Sequence, residues 1–488
     1  MLSGKIPSYS FSIIKRFFGS ISLAVVLNLL VKPGWLFVEN LVQNRLGHAT
    51  FGLLAAFSAL AVIVATLTDL GLTQFTVQRL AAEPEFADRH FPTLLPLRAL
   101  LTGAALLALL ALGAALGYSG PHLLLLLAVG GSLLLTQYGL FLRGLVQARQ
   151  HFNTDALLSV LEKLLALGLV VALLLGKKLT LNSYVGGRLA AAAFTAVLFL
   201  GLLGRLFGRL PHRWPQRGPA GQLLRGSLPF AFIALLYGIN ERVDMVLLER
   251  LSSAQEAGYY AAAYRWLDAV MMYAWTVLPL FFARFAHAQA RPRELNQLFW
   301  FGQRLVAVPL LFAVAFVLFR GEVLFWQFSR STPTELAHMV RCSQFLFLNV
   351  LVHAFFAIYS TLLTSTRHQH TVSWLVGASI ALNLTLNLLL LPRYGAVAAA
   401  INTLISAVFV SVSYVWLVAR RTPVAVPWRQ LAQLALTFGL LCGTWYTLRR
   451  SLALSWWLET GLMALAFVPL LFGTGLVRWR ELRRLLPR

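Results

Sequence analysis

The stretch from Ser227 to Pro279, SLPFAFIALLYGINERVDMVLLERLSSAQEAGYYAAAYRWLDAVMMYAWTVLP, decides the fold. It opens on an apolar run over 227–249 and resumes with a second over 258–283, the two parted by polar residues. At 1.5 Å per helical residue, either run is long enough to cross a hydrocarbon core about 30 Å thick. Yet Glu241, Arg242, Asp244, Arg265 and Asp268 stand inside them. A charge at the bilayer centre costs about 3 kcal/mol or more, so it faces a bundle interior or a watery cavity. The stretch is therefore two helices of a membrane bundle with a polar, partly cationic interior.

The same reading extends over the whole chain of 488 residues, of which 59% are hydrophobic; the mean hydropathy is +0.74. Fourteen spans are predicted, at 17–42, 50–76, 93–116, 122–141, 156–175, 184–203, 227–249, 258–283, 298–319, 337–363, 371–391, 396–418, 431–448 and 456–477. Their connections are too short to fold as soluble modules. The net charge of +24 would point to nucleic acid in a soluble protein. Here the basic runs Arg205–Arg225 and Arg478–Arg488 fall on one side of the membrane, as the positive-inside rule requires, so no nucleic-acid partner is expected. Both termini are then cytoplasmic and the chain sits in the inner membrane, its basic runs touching anionic lipid heads. The first apolar run carries Asn28, Lys32 and Pro33 and lacks a small-residue cleavage site, so it is expected to stay as a helix. Cys342 and Cys442 lie in apolar segments and suit neither a disulfide framework nor a metal site.

The basic, Pro- and Gly-containing segment 209–226 divides the spans. The expected organisation is a six-helix lobe over 1–208, the linker 209–226, a second six-helix lobe over 227–420, and two additional helices with a basic tail over 421–488. Two internal similarities set six helices apart support it. Phe51–Phe57 at the start of span two resembles Gly258–Tyr264 at the start of span eight. The turn before Tyr184-Val185-Gly186-Gly187 resembles Tyr394-Gly395-Ala396-Val397.

Leu228-Pro229, Arg242-Val243-Asp244 and Gly258-Tyr259-Tyr260-Ala261-Ala262 together resemble the central signature of the polysaccharide transporter family, the oligosaccharide flippases of the multidrug/oligosaccharidyl-lipid/polysaccharide exporter superfamily. The asparagine-bearing span with Asn383 and Asn387, the turn Leu391-Pro392-Arg393-Tyr394-Gly395 and the small residues Ala398-Ala399-Ala400 are similar to that family's spans eleven and twelve. The resemblance implies an all-α membrane fold of two six-helix lobes around a central cavity. It implies as cargo a pyrophosphate-bearing, lipid-linked oligosaccharide, carried on undecaprenol from the cytoplasmic to the outer leaflet by alternating access. It also admits polysaccharide-assembly proteins as partners.

That cargo gives the intramembrane charges a chemistry. A pyrophosphate needs cations in a partly dehydrated cavity, where they act more strongly than in water. Lys32 is near the middle of span one, beside a helix-bending proline; it either lines the cavity or pairs with Glu39, two turns on. Arg265 is either neutralised by Asp268 one turn away or held for phosphate. Arg242 is a further candidate, and Arg341, at the start of span ten, either binds substrate or snorkels. Glu241 and Asp244 share a helix face at i, i+3, where two carboxylates in a low dielectric favour proton or sodium coupling; Arg242 or Arg265 would otherwise neutralise them. Glu39 and Asp268 complete the coupling candidates. Asp69 is expected to cap the turn at Gly71. Span asparagines either bind sugar hydroxyls or join helices, and Trp and Tyr at span ends, Tyr118 among them, fit the interfacial belts. No cofactor is expected. The alternatives are a cationic-drug exporter of the same superfamily and, from another class, a membrane polysaccharide polymerase or ligase; the short outer connections and the absence of nucleotide or metal motifs disfavour an enzyme.

Overall fold

The computed structural model describes residues 31–477, apart from 32, 84–85, 149–150, 207–216, 290 and 367. Lys32 and Asn28 thus lie outside the described residues. The described chain is helical throughout, without strands. Two compact units divide it at Val246 and Leu247. The lobe division expected at 209–226 rests on a repeat, which compactness does not test.

The first unit holds α1 (33–46), α2 (His48–Asp69), α3 (Leu72–Ala82), α4 (Phe86–Ala115), α5 (Pro121–Ala148), α6 (Phe152–Leu175), α7 (Leu181–Leu206) and most of α8 (Arg217–Leu251). Gly47, at φ 89°, is the sole non-helical residue between α1 and α2. The predicted span 50–76 is in fact two helices: Leu70 (φ 49°) and Gly71 (φ 71°) both turn left-handed and end α2. A leucine in that conformation costs about 1–2 kcal/mol, so the break is held by its surroundings. Phe75, Phe91, Phe141, Phe199 and Leu223 form one buried cluster that ties α3, α4, α5, α7 and α8. Tyr118, expected in an interfacial belt, is instead buried, its ring edge-on to Phe57 with centroids 4.9 Å apart.

The second unit holds α9 (Ala254–Ala288), α10 (Pro292–Arg320), the 3₁₀ turn η1 (Gly321–Phe325), α11 (Pro333–Ser365), α12 (Gln369–Arg421), α13 (Trp428–Ser451) and α14 (Trp456–Gly473). α12 is two rods. Gly395 (φ 57°, ψ −139°) breaks it, and bonds between Asn387 and Asn402 and between Ser379 and Ser406 show the halves folding back along one another. Only glycine adopts this backbone without strain, and a Cβ at this position would also strike the Glu256 carboxylate. Phe285, Phe299, Ile358, Tyr359 and Leu417 form the core of α9–α12. Eleven described helices are long and apolar enough to cross a membrane, α12 among them. With α12 counted as two, and α1 and α8 lying where two further spans were expected, the described helices agree with about fourteen. Trp326, Trp428, Trp456 and Trp457 are exposed at helix ends, as belt residues are.

Candidate functional site

Among the described residues of the first unit, intramembrane charge collects around Asp69 and around Arg188, besides the Arg143–Asp155 pair that joins α5 and α6. Asp69 ends α2 and serves the next helix: Thr73 donates to it through its hydroxyl at 2.6 Å and its backbone N–H at 3.2 Å. That is the expected cap, but the carboxylate has a second role. It is ion-paired with Arg98 of α4, which is 5% exposed and lies over the Phe141 ring, 5.9 Å from its centroid. Sequence reasoning did not single out Arg98. The pair was hidden because its members sit on different helices.

The second place joins α1, α5, α6 and α7. Arg188 Nη1 donates to Tyr184 Oη at 3.4 Å, and Tyr184 Oη makes a weak 3.5 Å bond to Glu39 Oε1. The Arg188 guanidinium lies 5.7 Å from the centroids of both Trp35 and Tyr184, within cation–π range. Glu162 accepts a short hydrogen bond from Thr136, and both Glu39 and Glu162 act electrostatically on Arg188. One planar cation therefore faces two carboxylates and two aromatic rings inside the bundle. Glu39 was foreseen; Arg188, standing in a Gly-Gly-Arg run at the start of a span, was not.

The charges of α8 and α9 have contrasting settings. Glu241 is exposed, Arg242 is half-buried and Asp244 is 6% exposed, so the two carboxylates share a helix but not an environment. Arg265 Nε donates to the Ala261 carbonyl at 3.2 Å, and Asp268 is half-buried one turn on. None of these five lacks a partner. Arg341 is exposed and lines a cavity of about 400 Å³ between α11 and the two halves of α12.

Beside the α12 break is a node that sequence reasoning missed altogether. Ser253 caps α9 by accepting from the Glu256 N–H at 3.1 Å. The Glu256 carboxylate accepts from the Ala396 N–H at 2.7 Å and is bonded to His338 Nε2 at 3.0 Å. Ala396 begins the second half of α12, so a carboxylate meets a helix N-terminus, where negative charge is favoured. Nearby, Tyr259 and Gln255 donate to Glu335 Oε1 at 2.9 and 3.0 Å. Deeper in the hairpin, Asn402 donates to Asn387 and Asn387 to Asn383, each at 2.8 Å, all three buried. These asparagines join helices. Among the described residues, no group of three His, Cys, Asp or Glu side chains is placed to hold a metal.

Residues 16–282 match the family described as "Polysaccharide biosynthesis protein". No curated protein matches the chain. Among solved structures, an inward-closed lipid II flippase MurJ aligns with a TM-score of 0.76 at 12% identity, over 94% of this chain and 99% of that one. An inward-facing multidrug resistance MATE family transporter of the MOP superfamily aligns with a TM-score of 0.63 at 14% identity, over 81% and 97%. A MOP superfamily transporter from Pyrococcus furiosus Vc1 gives 0.57 at 14% identity, over 81% and 93%. At these identities the likeness is one of fold.

Proposed function

Because this chain belongs to the polysaccharide biosynthesis protein family, with a fold shared by membrane transporters of the MOP superfamily, we propose that it is a flippase. Its cargo is an undecaprenyl-pyrophosphate-linked oligosaccharide, moved across the cytoplasmic membrane for surface polysaccharide assembly. The observation that carries this reading is the charge held inside spans, above all Arg188 among Glu39, Glu162 and Tyr184. A purely structural bundle gains little from such groups, because each must be desolvated. A carrier of a pyrophosphate and sugars needs cations that the cargo can claim from carboxylate partners.

In this reading Lys32, Arg265 and Arg242 are cations that the cargo claims. Glu241, Asp244, Asp268 and Glu39 take part in coupling to a proton or sodium gradient. Both termini are cytoplasmic, and polysaccharide-assembly proteins and membrane lipids are the partners.

Deleting the gene and extracting lipid-linked glycans tests the reading. The expected result is a completed oligosaccharide accumulating on the cytoplasmic leaflet, with surface polysaccharide lost. Normal glycan with altered tolerance to cationic compounds would move the assignment to a drug exporter; accumulation on the outer leaflet would move it to a polymerase or ligase. In the complemented strain, Lys32→Ala and Arg265→Ala should each reduce flipping by tenfold or more, on the scale of a lost charge-assisted bond of about 1.5–3 kcal/mol. Intact flipping in both variants would remove that role from them. Amide replacements of Glu241 and Asp244 that leave the gradient dependence unchanged would remove the coupling role.

A further inference from the structure

The cavity between α11 and the α12 hairpin has a chemistry of its own. Leu390 and Ile401 furnish its aliphatic wall, Tyr394 and Asn402 flank it, and Arg341 and His338 supply its basic groups. Its volume of about 400 Å³ falls within the 300–1,000 Å³ typical of small-ligand sites. The neighbouring surface of the hairpin is greasy and open: Leu388, Leu389 and Tyr394 are 52%, 66% and 62% exposed. The cavity is thus continuous in character with a face suited to lipid chains.

Its depth follows from helix length. α11 has 33 residues and so spans about 50 Å, roughly 20 Å more than the hydrocarbon core. With the excess shared between its ends, His338 and Arg341, five and eight residues after Pro333, lie at the headgroup boundary. Asn402, seven residues past Gly395, lies about 10 Å deeper than the α12 break. The cation is at the interface and the aliphatic wall runs inward, which is the layout of a phospholipid.

The basic groups also discriminate. Arg341 makes no hydrogen bond or ion pair among the described residues, whereas His338 is bonded to Glu256. One permanent cation balances the single charge of a phosphodiester. A pyrophosphate carries more charge than this site offers.

We propose that this cavity is a binding site for one anionic phospholipid, its phosphodiester on Arg341 beside His338 and an acyl chain along Leu390 and Ile401. In the orientation expected from the basic loops, the lipid comes from the outer leaflet. Occupancy does not depend on cargo transport, so lipid retention and cargo flipping fail separately.

Native mass spectrometry of the full chain released from nanodiscs of mixed phosphatidylglycerol and phosphatidylcholine tests it. The wild-type chain should retain one phosphatidylglycerol in preference to phosphatidylcholine. Arg341→Ala should weaken that preference about tenfold, equivalent to ~1.4 kcal/mol, with Arg341→Lys restoring most of it. Ile401→Trp, which fills the cavity, should abolish retention while the protein stays monodisperse. Equal retention of the two lipids, or retention indifferent to both Arg341→Ala and Ile401→Trp, would overturn the proposal. Displacement of the lipid by inorganic pyrophosphate would overturn it too, by assigning the cation to a diphosphate.

Discussion

Arg98 and Asp69 show what a buried pair means for stability. Removing one partner strands a charge in a low dielectric, whereas replacing both leaves only packing to repair. Arg98→Ala should therefore destabilise the first unit by about 3–5 kcal/mol. The double variant Arg98→Met with Asp69→Asn should cost clearly less, as read by thermal unfolding in detergent. Equal losses would mean that the pair itself, and not the stranded carboxylate, sets the cost. Arg188 makes a different demand. Its guanidinium lies over Trp35 and Tyr184, and a lysine keeps the charge but loses the plane. Arg188→Lys should depress cargo flipping nearly as far as Arg188→Ala, measured as surface polysaccharide in a complemented deletion strain. Asp69 and Glu39 were plain in the sequence, since an ionised side chain in an apolar run announces itself, whereas Arg98 and Arg188, near span starts, were not singled out. Nor were the partners legible: Glu39 and Tyr184 are 145 positions apart, and nothing in local spacing links them.

At the scale of elements, periodicity and length placed the helices, because a span must supply its own backbone hydrogen bonds whatever surrounds it. Breaks were harder to read. Leu70 carries no turn signature, and although a turn at Gly71 was expected, the span 50–76 was not divided there; Gly395 stood in a visible Pro-Arg-Tyr-Gly turn. What escaped notice was the device that fixes Gly395, the Glu256 carboxylate spanning Ala396 N–H and His338. Gly395→Ala forces a left-handed φ on an L-residue and pushes a methyl group into Glu256. It should lower the melting temperature by an amount corresponding to at least 1–3 kcal/mol. Glu256→Gln keeps the shape but weakens a charge-assisted bond, and should cost about 1 kcal/mol. Should Gly395→Ala prove neutral in the same scan, the backbone at that position would have to differ from the one described.

For the whole molecule, the last two helices are the part least explained by resemblance and most clearly explained by packing. α13 and α14 close on α10. Glu459, fully buried, is ion-paired with Arg320 and accepts from Trp445 Nε1. Trp445 is itself buried, stacked parallel to Phe319 with centroids 5.9 Å apart. Trp445→Ala should cost about 3–5 kcal/mol and expose the 422–427 connection to protease, with α9–α12 remaining intact; unchanged cleavage would mean that the pair is anchored elsewhere. The α12 break carries a consequence for how the chain is made. Two crossings joined through one glycine leave no loop to thread across the bilayer separately. Asn387 also accepts its bond from Asn402 only once the second half is in place. Residues 369–421 must therefore enter the membrane as one helical hairpin, so a nascent chain halted just after Gly395 should remain in the translocon and become lipid-embedded only once Asn402 and the helix around it have been synthesised.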